Sequence, residues 1–316
     1  MNKCIGCGLT LQSDDKNKKG YVPSEAKNKN YCQSCFRLMH YGINENTLVP
    51  KENEQIINYV NKKAKEVFFI TDFISVCDKN IDLYKNINVK KKLIVNKSDI
   101  IPTNISFSQI KAYLKNIYSI NEEVIFTNKF NNNNSLIKKL YGKEVYFLGA
   151  SSCGKSSLIN NLLVKFGKDK YLSESYNENT TKEFIKLSFP NFTIYDSPGF
   201  YFDMFKLNKK TNIDSKIKPI NYNVVDKGFF CINEIINLGI EGDTNLIFYF
   251  SKIKIRRSRA KTLKVSFDIK KNSDILIFGL GFIKTTSDIT LKVDKSIEKY
   301  IIIRKSITGG KYSGKD

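Results

Sequence analysis

Asn96-Lys97-Ser98-Asp99 stands ahead of Gly149-Ala150-Ser151-Ser152-Cys153-Gly154-Lys155-Ser156 in this 316-residue chain, and the order of the two strings decides the fold. The second string has the spacing of a phosphate-binding P-loop, in which a Gly-rich turn wraps backbone N–H groups around phosphates. The apolar run Val145-Tyr146-Phe147-Leu148 before it reads as a buried strand, and 157–166 reads as the helix after it. The first string follows another strand-like run, Leu93-Ile94-Val95. A carboxylate at Asp99 can accept the N1–H and the exocyclic N–H of guanine. Adenine lacks that donor pair, so its entry leaves the acid unpaired, at about 1–3 kcal/mol per lost bond. Asn96 is expected to brace the loop and touch the base, and the Lys97 stem to lie over the base plane. In ordinary guanine-nucleotide hydrolases the phosphate loop comes first. Here the order is rotated, so the expected fold is α/β, a circularly permuted P-loop domain with a parallel-rich sheet and helices on both faces.

The rest of the nucleotide site follows from the same frame. Lys155 is expected to reach the β- and γ-phosphates and Ser156 to ligate Mg²⁺. Asp196-Ser197-Pro198-Gly199 follows the strand-like run Phe192–Tyr195; Asp196 would hold the Mg²⁺ shell through water, and Gly199 would offer its N–H to the γ-phosphate. In Asn179-Thr180-Thr181-Lys182, Thr181 is the expected switch threonine closing on Mg²⁺, with Thr180 the second choice. The full nucleotide-binding set is Asn96, Lys97, Asp99, Gly149, Ser152, Cys153, Gly154, Lys155, Ser156, Ser157, Asp196 and Gly199, with Lys155, Thr181 and Gly199 taking part in hydrolysis. Thr127-Asn128-Lys129 stands where a companion loop to the base-reading string is expected, although it departs from the usual Ser-Ala-Lys. Phe200 occupies the place where many such enzymes carry a glutamine that orients the attacking water. A phenyl ring cannot hydrogen-bond water, so slow intrinsic turnover is expected, with the water positioned by another group.

Three segments are expected. Residues 1–43 carry Cys4-Ile5-Gly6-Cys7 and Cys32-Gln33-Ser34-Cys35, two Cys-x-x-Cys pairs whose spacing suits a closed tetrahedral Zn²⁺ site of Cys4, Cys7, Cys32 and Cys35. So short a segment cannot bury a sufficient core, and the metal would staple it. Residues 44–212 alternate helical and strand-like patterns. Ile56, Ile57, Val60 and Ala64 share one helical face, and Val67–Thr71 is a buried strand. Residues 213–316 are strand-rich, with runs at 246–250, 262–267, 275–278, 289–293 and 300–303.

Fifty-two Lys+Arg against 31 Asp+Glu leave a net charge of +21, which favours a polyanion such as RNA over a merely solvated surface. Lys252, Lys254, Arg256, Arg257, Arg259, Lys261 and Lys264 crowd one stretch of the last segment, flanked by Tyr249, Phe250 and Phe267, a combination suited to phosphate contacts with some base stacking. No apolar run is long enough to span a bilayer and the first residues show neither a signal nor a transit pattern, so a cytoplasmic protein with no membrane partner is expected.

These features together resemble the YqeH-type circularly permuted GTPases. The most specific parts are Cys4–Gln12, Gly20-Tyr21-Val22-Pro23, Tyr31–Tyr41, Phe69-Ile70-Thr71-Asp72-Phe73, and Ile277-Phe278-Gly279-Leu280-Gly281-Phe282-Ile283, where Phe282 replaces the family's tryptophan. The resemblance implies a treble-clef zinc module and GTP hydrolysis, with GTP/GDP, Mg²⁺ and Zn²⁺ as cofactors. It also implies a role in assembly of the small ribosomal subunit through its RNA; no DNA partner is expected. Relatives with a hydrophobic residue at the Phe200 position often carry an Asn at the Ser152 position that helps hold K⁺. Serine reaches less far, so K⁺ dependence is not carried over with the rest. The competing reading is an RNA-binding assembly scaffold whose nucleotide is mainly structural. A translation or tRNA-modifying GTPase is disfavoured, because no attached catalytic domain is evident.

Overall fold

The computed structural model describes residues 3–4, 9–14, 20–23, 30, 32, 50–130, 133–168, 184–202, 204, 216–251 and 253–308. The expected ligands Cys7 and Cys35, together with Thr180, Thr181 and Lys252, lie outside them.

The nucleotide domain alternates helices and strands: α1 (Pro50–Lys63), β1 (Glu66–Asp72), α2 (Asp78–Lys85), β2 (Lys90–Asn96), α3 (Phe107–Tyr118), β3 (Val124–Phe126), α4 (Asn134–Leu140), β4 (Glu144–Gly149), α5 (Lys155–Lys165), β5 (Ile185–Ser188) and β6 (Thr193–Asp196). The strands form one sheet in the order β3-β2-β1-β4-β6-β5, parallel throughout except for β5 against β6. All seven residues of β1 are buried, as a central strand covered on both faces requires. Its alternation splits the core: Val67 and Phe69 face one hydrophobic cluster, Phe68 and Ile70 the other. The expected helical face of α1 is confirmed, with Ile56, Ile57 and Val60 buried against the first of these clusters. A capping box between Ser106 and Gln109 starts α3.

The permutation is visible in the sheet. The base-reading strand β2 and the phosphate-loop strand β4 both pair with β1, on opposite sides, although β2 comes first in the chain. Asn96 at the end of β2 therefore lies near the loop that follows β4.

Beyond residue 216 come two five-stranded antiparallel sheets. With β7 (Ile220–Val224), β8 (Lys227–Ile232), β9 (Ile236–Glu241), β10 (Thr244–Phe250), β11 (Ile255–Arg257), β12 (Val265–Ile269), β13 (Ser273–Ile277), β14 (Gly281–Thr285), β15 (Ile289–Val293) and β16 (Ile301–Lys305), their orders are β16-β13-β14-β10-β7 and β11-β8-β9-β15-β12. Their inner faces share one apolar cluster that includes Phe230, Phe248 and Leu291.

The tail is fused to the nucleotide domain. Tyr249, Leu276, Phe278, Phe282 and Ile307 belong to the same cluster as β1 and α3. Phe282 stacks on Tyr249 at 4.6 Å and meets Phe73 edge-on at 5.7 Å. Gly281 is required beside it, because a Cβ there would lie 2.4 Å from the Phe250 ring. The Gly-Leu-Gly-Phe signature is therefore part of the joint between the segments. Tyr249 and Phe250 are buried in the core, which removes them from the expected base-stacking platform; Lys254, Arg256, Arg257, Arg259, Lys261 and Lys264 are exposed. Polar ties complete the joint. Arg304 Nε donates to Asp274 Oδ2 at 3.1 Å, its Nη1 donates to the Val76 carbonyl, and Tyr113 Oη donates to the Lys305 carbonyl at 2.8 Å. The Ile217 N–H donates to the Ile100 carbonyl at 3.0 Å.

Candidate nucleotide site

The base-reading string and the phosphate loop are in direct contact. Asn96 Nδ2 donates to the carbonyls of Cys153 at 3.0 Å and Gly154 at 3.2 Å, and Asn96 Oδ1 accepts from Thr127 Oγ1 at 2.9 Å. Asn96 is thus braced from both sides. Lys97 sits in the left-handed region at φ 55° and reaches across the loop, donating to the Ser152 carbonyl at 2.7 Å and to Asp72 Oδ2 at 2.8 Å. Sequence reasoning did not single out Asp72 for this pair. It ends β1, opposite Asn96 in the parallel register. Burial alone would push the Asp72 carboxyl up, but the Lys97 ammonium, with hydrogen bonds from Lys97 and Ser75, holds it below its ordinary value.

The companion loop is in place despite its unusual sequence. The Ser98 N–H donates to the Thr127 carbonyl at 2.9 Å, and Asn128 Nδ2 donates to Ser98 Oγ at 3.1 Å. Asp99, half-buried, lies in the single 3₁₀ turn Ser98–Ile100 that follows Lys97.

The loop between β4 and α5 turns with Ser152 at φ 67° and Gly154 at φ 86°, both in the left-handed region. A Cβ at Gly154 would lie 2.5 Å from Asn96 Nδ2, so the glycine is what lets the two motifs approach. Such a turn, opening a helix at Lys155, offers backbone N–H groups and a positive helix end to an anion. Lys155 is buried and its Nζ contacts Asp196 Oδ1, and it donates to the Ser197 carbonyl at 2.6 Å. The ammonium that phosphates would claim is held by the carboxylate expected to serve Mg²⁺. Ser156 and Ser157, half-buried, start α5 beside it. Cys153 is enclosed and burial pushes its thiol up to about 11, so it is a packing residue.

Asp196 ends β6 fully buried. After it the chain closes on the phosphate loop: the Phe200 N–H donates to the Gly149 carbonyl and the Ser151 N–H donates to the Phe200 carbonyl, each at 2.9 Å. The Phe200 ring is fully buried and stacks on Phe69 with centroids 5.8 Å apart, so it points into the core and not toward the loop.

In the first segment, Cys4 and Cys32 are both buried, and the Cys32 N–H donates to Cys4 Sγ at 3.2 Å. Two of the four expected zinc ligands therefore converge across the described part of this segment. The buried sulfurs and the N–H···S contact suit a thiolate metal site. Gly20, at φ 85°, passes so close to the Thr10 carbonyl that a Cβ would lie 2.1 Å from its oxygen.

Residues 144–303, half of the chain, match the family described as 50S ribosome-binding GTPase. The chain belongs to this family. Residues 71–205, which lie within the permuted domain, also match the family described as RsgA GTPase, while the first match runs from β4 through the strand-rich tail. The Bacillus subtilis (strain 168) protein YqeH, described as uncharacterized, is 26% identical over 215 residues, which cover 62% of this chain and 58% of YqeH. The match thus leaves over a third of that relative's length unspanned. Two solved structures, YjeQ from Thermotoga maritima and GNP-bound YlqF from T. maritima, are 21% and 22% identical with TM-scores of 0.32 each. They cover 43% and 49% of this chain, and 48% and 61% of their own. Among the described residues no helix is long and apolar enough to cross a membrane.

Proposed function

We propose that this GTPase-family chain binds GTP with Mg²⁺ between β1, β2 and β4, hydrolyses it slowly, and switches its hold on ribosomal RNA during assembly of the small ribosomal subunit in the cytoplasm. The observation that carries the reading is Asn96 bonded to the Cys153 and Gly154 carbonyls, which joins a guanine-reading string to a phosphate loop 50 residues and more downstream in the chain. In this reading Asp99 would accept the guanine N–H pair, Lys155 would hold the β- and γ-phosphates, and Asp196 would hold the Mg²⁺ shell, the metal supplying charge neutralisation of the phosphates. Ser156 and Thr181 ligate the metal, and Gly199 meets the γ-phosphate. Zn²⁺, held by Cys4, Cys7, Cys32 and Cys35, stabilises the first segment and takes no part in the reaction.

Asp99→Asn tests the pocket. Preference should move from GTP toward xanthosine triphosphate, whose extra carbonyl accepts from the amide. An unchanged preference for GTP removes Asp99 from the site and the reading with it. The partner is tested by co-sedimentation with separated ribosomal subunits in the GTP- and GDP-loaded states at fixed salt. Selective, GTP-dependent binding to the small subunit supports the role. Binding to the large subunit, which the name of the matched family points to, moves the role there, and equal affinity in both states rules out a switch.

A scaffold with little turnover is the second reading, favoured by the burial of the Phe200 ring. GTP turnover above background in the presence of ribosomal subunits excludes it.

A further inference from the structure

With Phe200 committed to the core, the glutamine position supplies no polar group to the reacting end of the pocket. Among the described residues, Ser151 is a polar side chain beside that end that the reading above leaves unused. It is the third residue of the phosphate loop, its N–H is held by the Phe200 carbonyl, and its side chain is about nine-tenths buried at 9% exposure. Its hydroxyl has no hydrogen-bond partner among the described residues. It also faces Gly199, since a Cβ placed on that glycine would lie 2.9 Å from Ser151 Oγ. An unpaired buried hydroxyl is costly, and native structures rarely keep one without a use. Ser197 Oγ, by contrast, already contacts the Pro198 carbonyl at 2.9 Å.

We propose that the Ser151 hydroxyl is a catalytic group of this GTPase, accepting a hydrogen bond from the attacking water while donating to a γ-phosphate oxygen next to the Gly199 N–H. The proposal rests on the GTPase reading above. The water oxygen forms a bond to the γ-phosphorus, the bond from that phosphorus to the β–γ bridging oxygen breaks, and GDP leaves with the bonding pair. A water proton passes to the departing inorganic phosphate, and the serine ends as it began. Its part is to fix the line of attack, which a glutamine does elsewhere. Serine reaches the water only because Gly199 carries no side chain. The same glycine therefore serves both the phosphate contact and access to the hydroxyl.

The test is Ser151→Ala in the full chain, with single-turnover hydrolysis of GTP, affinity for a fluorescent GDP analogue, and the thermal midpoint measured together. The expected result is a loss of at least about tenfold in the hydrolysis rate, with GDP-analogue affinity within about twofold of the parent. The thermal midpoint should be unchanged or raised, because the alanine removes an unsatisfied polar atom. An unchanged rate overturns the proposal. So does a rate loss accompanied by an equal loss of affinity and a lower midpoint, which marks a structural role. Asp99→Asn, run in parallel, separates the two readings. If it shifts nucleotide preference while Ser151→Ala leaves the rate unchanged, the pocket stands and the role of Ser151 falls. If neither the parent nor the variants bind GTP, the pocket itself falls.

Discussion

Replacing Arg304 by methionine is the most demanding test of how the tail is fixed. Arg304 is 4% exposed and its partner Asp274 is fully buried. The guanidinium spans the joint: Nε donates to Asp274 Oδ2 at 3.1 Å, Nη1 to the carbonyls of Val76 and, at 3.4 Å, Ile74, and its Cζ lies 4.8 Å from the Phe282 ring centroid. Methionine fills similar volume but leaves the carboxylate buried with the Ile307 N–H, 3.0 Å away, as its remaining main-chain donor. Removing one partner of a buried ion pair costs about 3–5 kcal/mol. The freed carbonyls of Ile74 and Val76 place the expected loss at the upper end of that range. Converting Asp274 to leucine as well should return most of it, since an apolar pair carries no buried charge. Burial already pushes the Asp274 carboxyl above its ordinary value. A carboxylate raised in the fold weighs against folding at high pH, and that penalty fades as pH falls toward the unfolded value. The single variant's defect should therefore shrink as pH is lowered toward the ordinary aspartate value of 3.8. Urea unfolding followed by circular dichroism and by tyrosine fluorescence reads this, the chain having 17 tyrosines and no tryptophan. A loss under about 1 kcal/mol for Arg304→Met, or a double variant no better than the single, would refute the reasoning.

Three further outcomes are expected. Asp72 has its carboxyl held low by Lys97 and Ser75, so its contribution is complete above the ordinary value of 3.8 and is lost as pH falls below it; Asp72→Asn should flatten stability against pH in that acid window and weaken GTP and GDP alike, as paired acid titrations and nucleotide binding would reveal. Phe200→Gln should cost about 2–4 kcal/mol by burying an amide where a ring packs, without speeding hydrolysis, because that position faces the core; faster turnover at intact stability contradicts the placement. Chelation of zinc should change spectroscopic signals from residues 1–43 while nucleotide binding persists, and unaltered signals from that segment argue against a structural metal.

Much of the site was legible because its parts are contiguous. A phosphate loop or a base-reading string is written in adjacent residues, and strand-like runs such as Val145–Leu148 mark where each sits. What eluded the sequence depends on partners far apart in the chain. Asp72 and Lys97 meet only once β1 and β2 are paired, and Arg304 looks like one more surface charge until β16 is set against β13 beside Asp274. Thr127 departs from the usual motif, and its bonds to Asn96 and Ser98, not its sequence, tie it to the base-reading string. Strands β7, β8, β9, β11 and β14 were not among the expected runs; in β7, Ile220-Asn221-Tyr222-Asn223-Val224, polar and apolar types mix and only Val224 is buried. The misreading of Tyr249 and Phe250 has a related cause. The end of β10 is covered on both faces, by the tail's own core on one and by the joint with β1 on the other, so neighbours that should alternate in and out are both enclosed.

That joint touches the pocket at both extremities. Arg304 holds the turn just beyond Asp72, while Phe278 meets the Phe202 ring shortly after Gly199, with centroids 5.8 Å apart. A torque exerted on the two antiparallel sheets would thus arrive together where guanine is read and where the terminal phosphate is held. In the proposed reading, a partner that gripped the sheets would act on the ligand without entering the cleft.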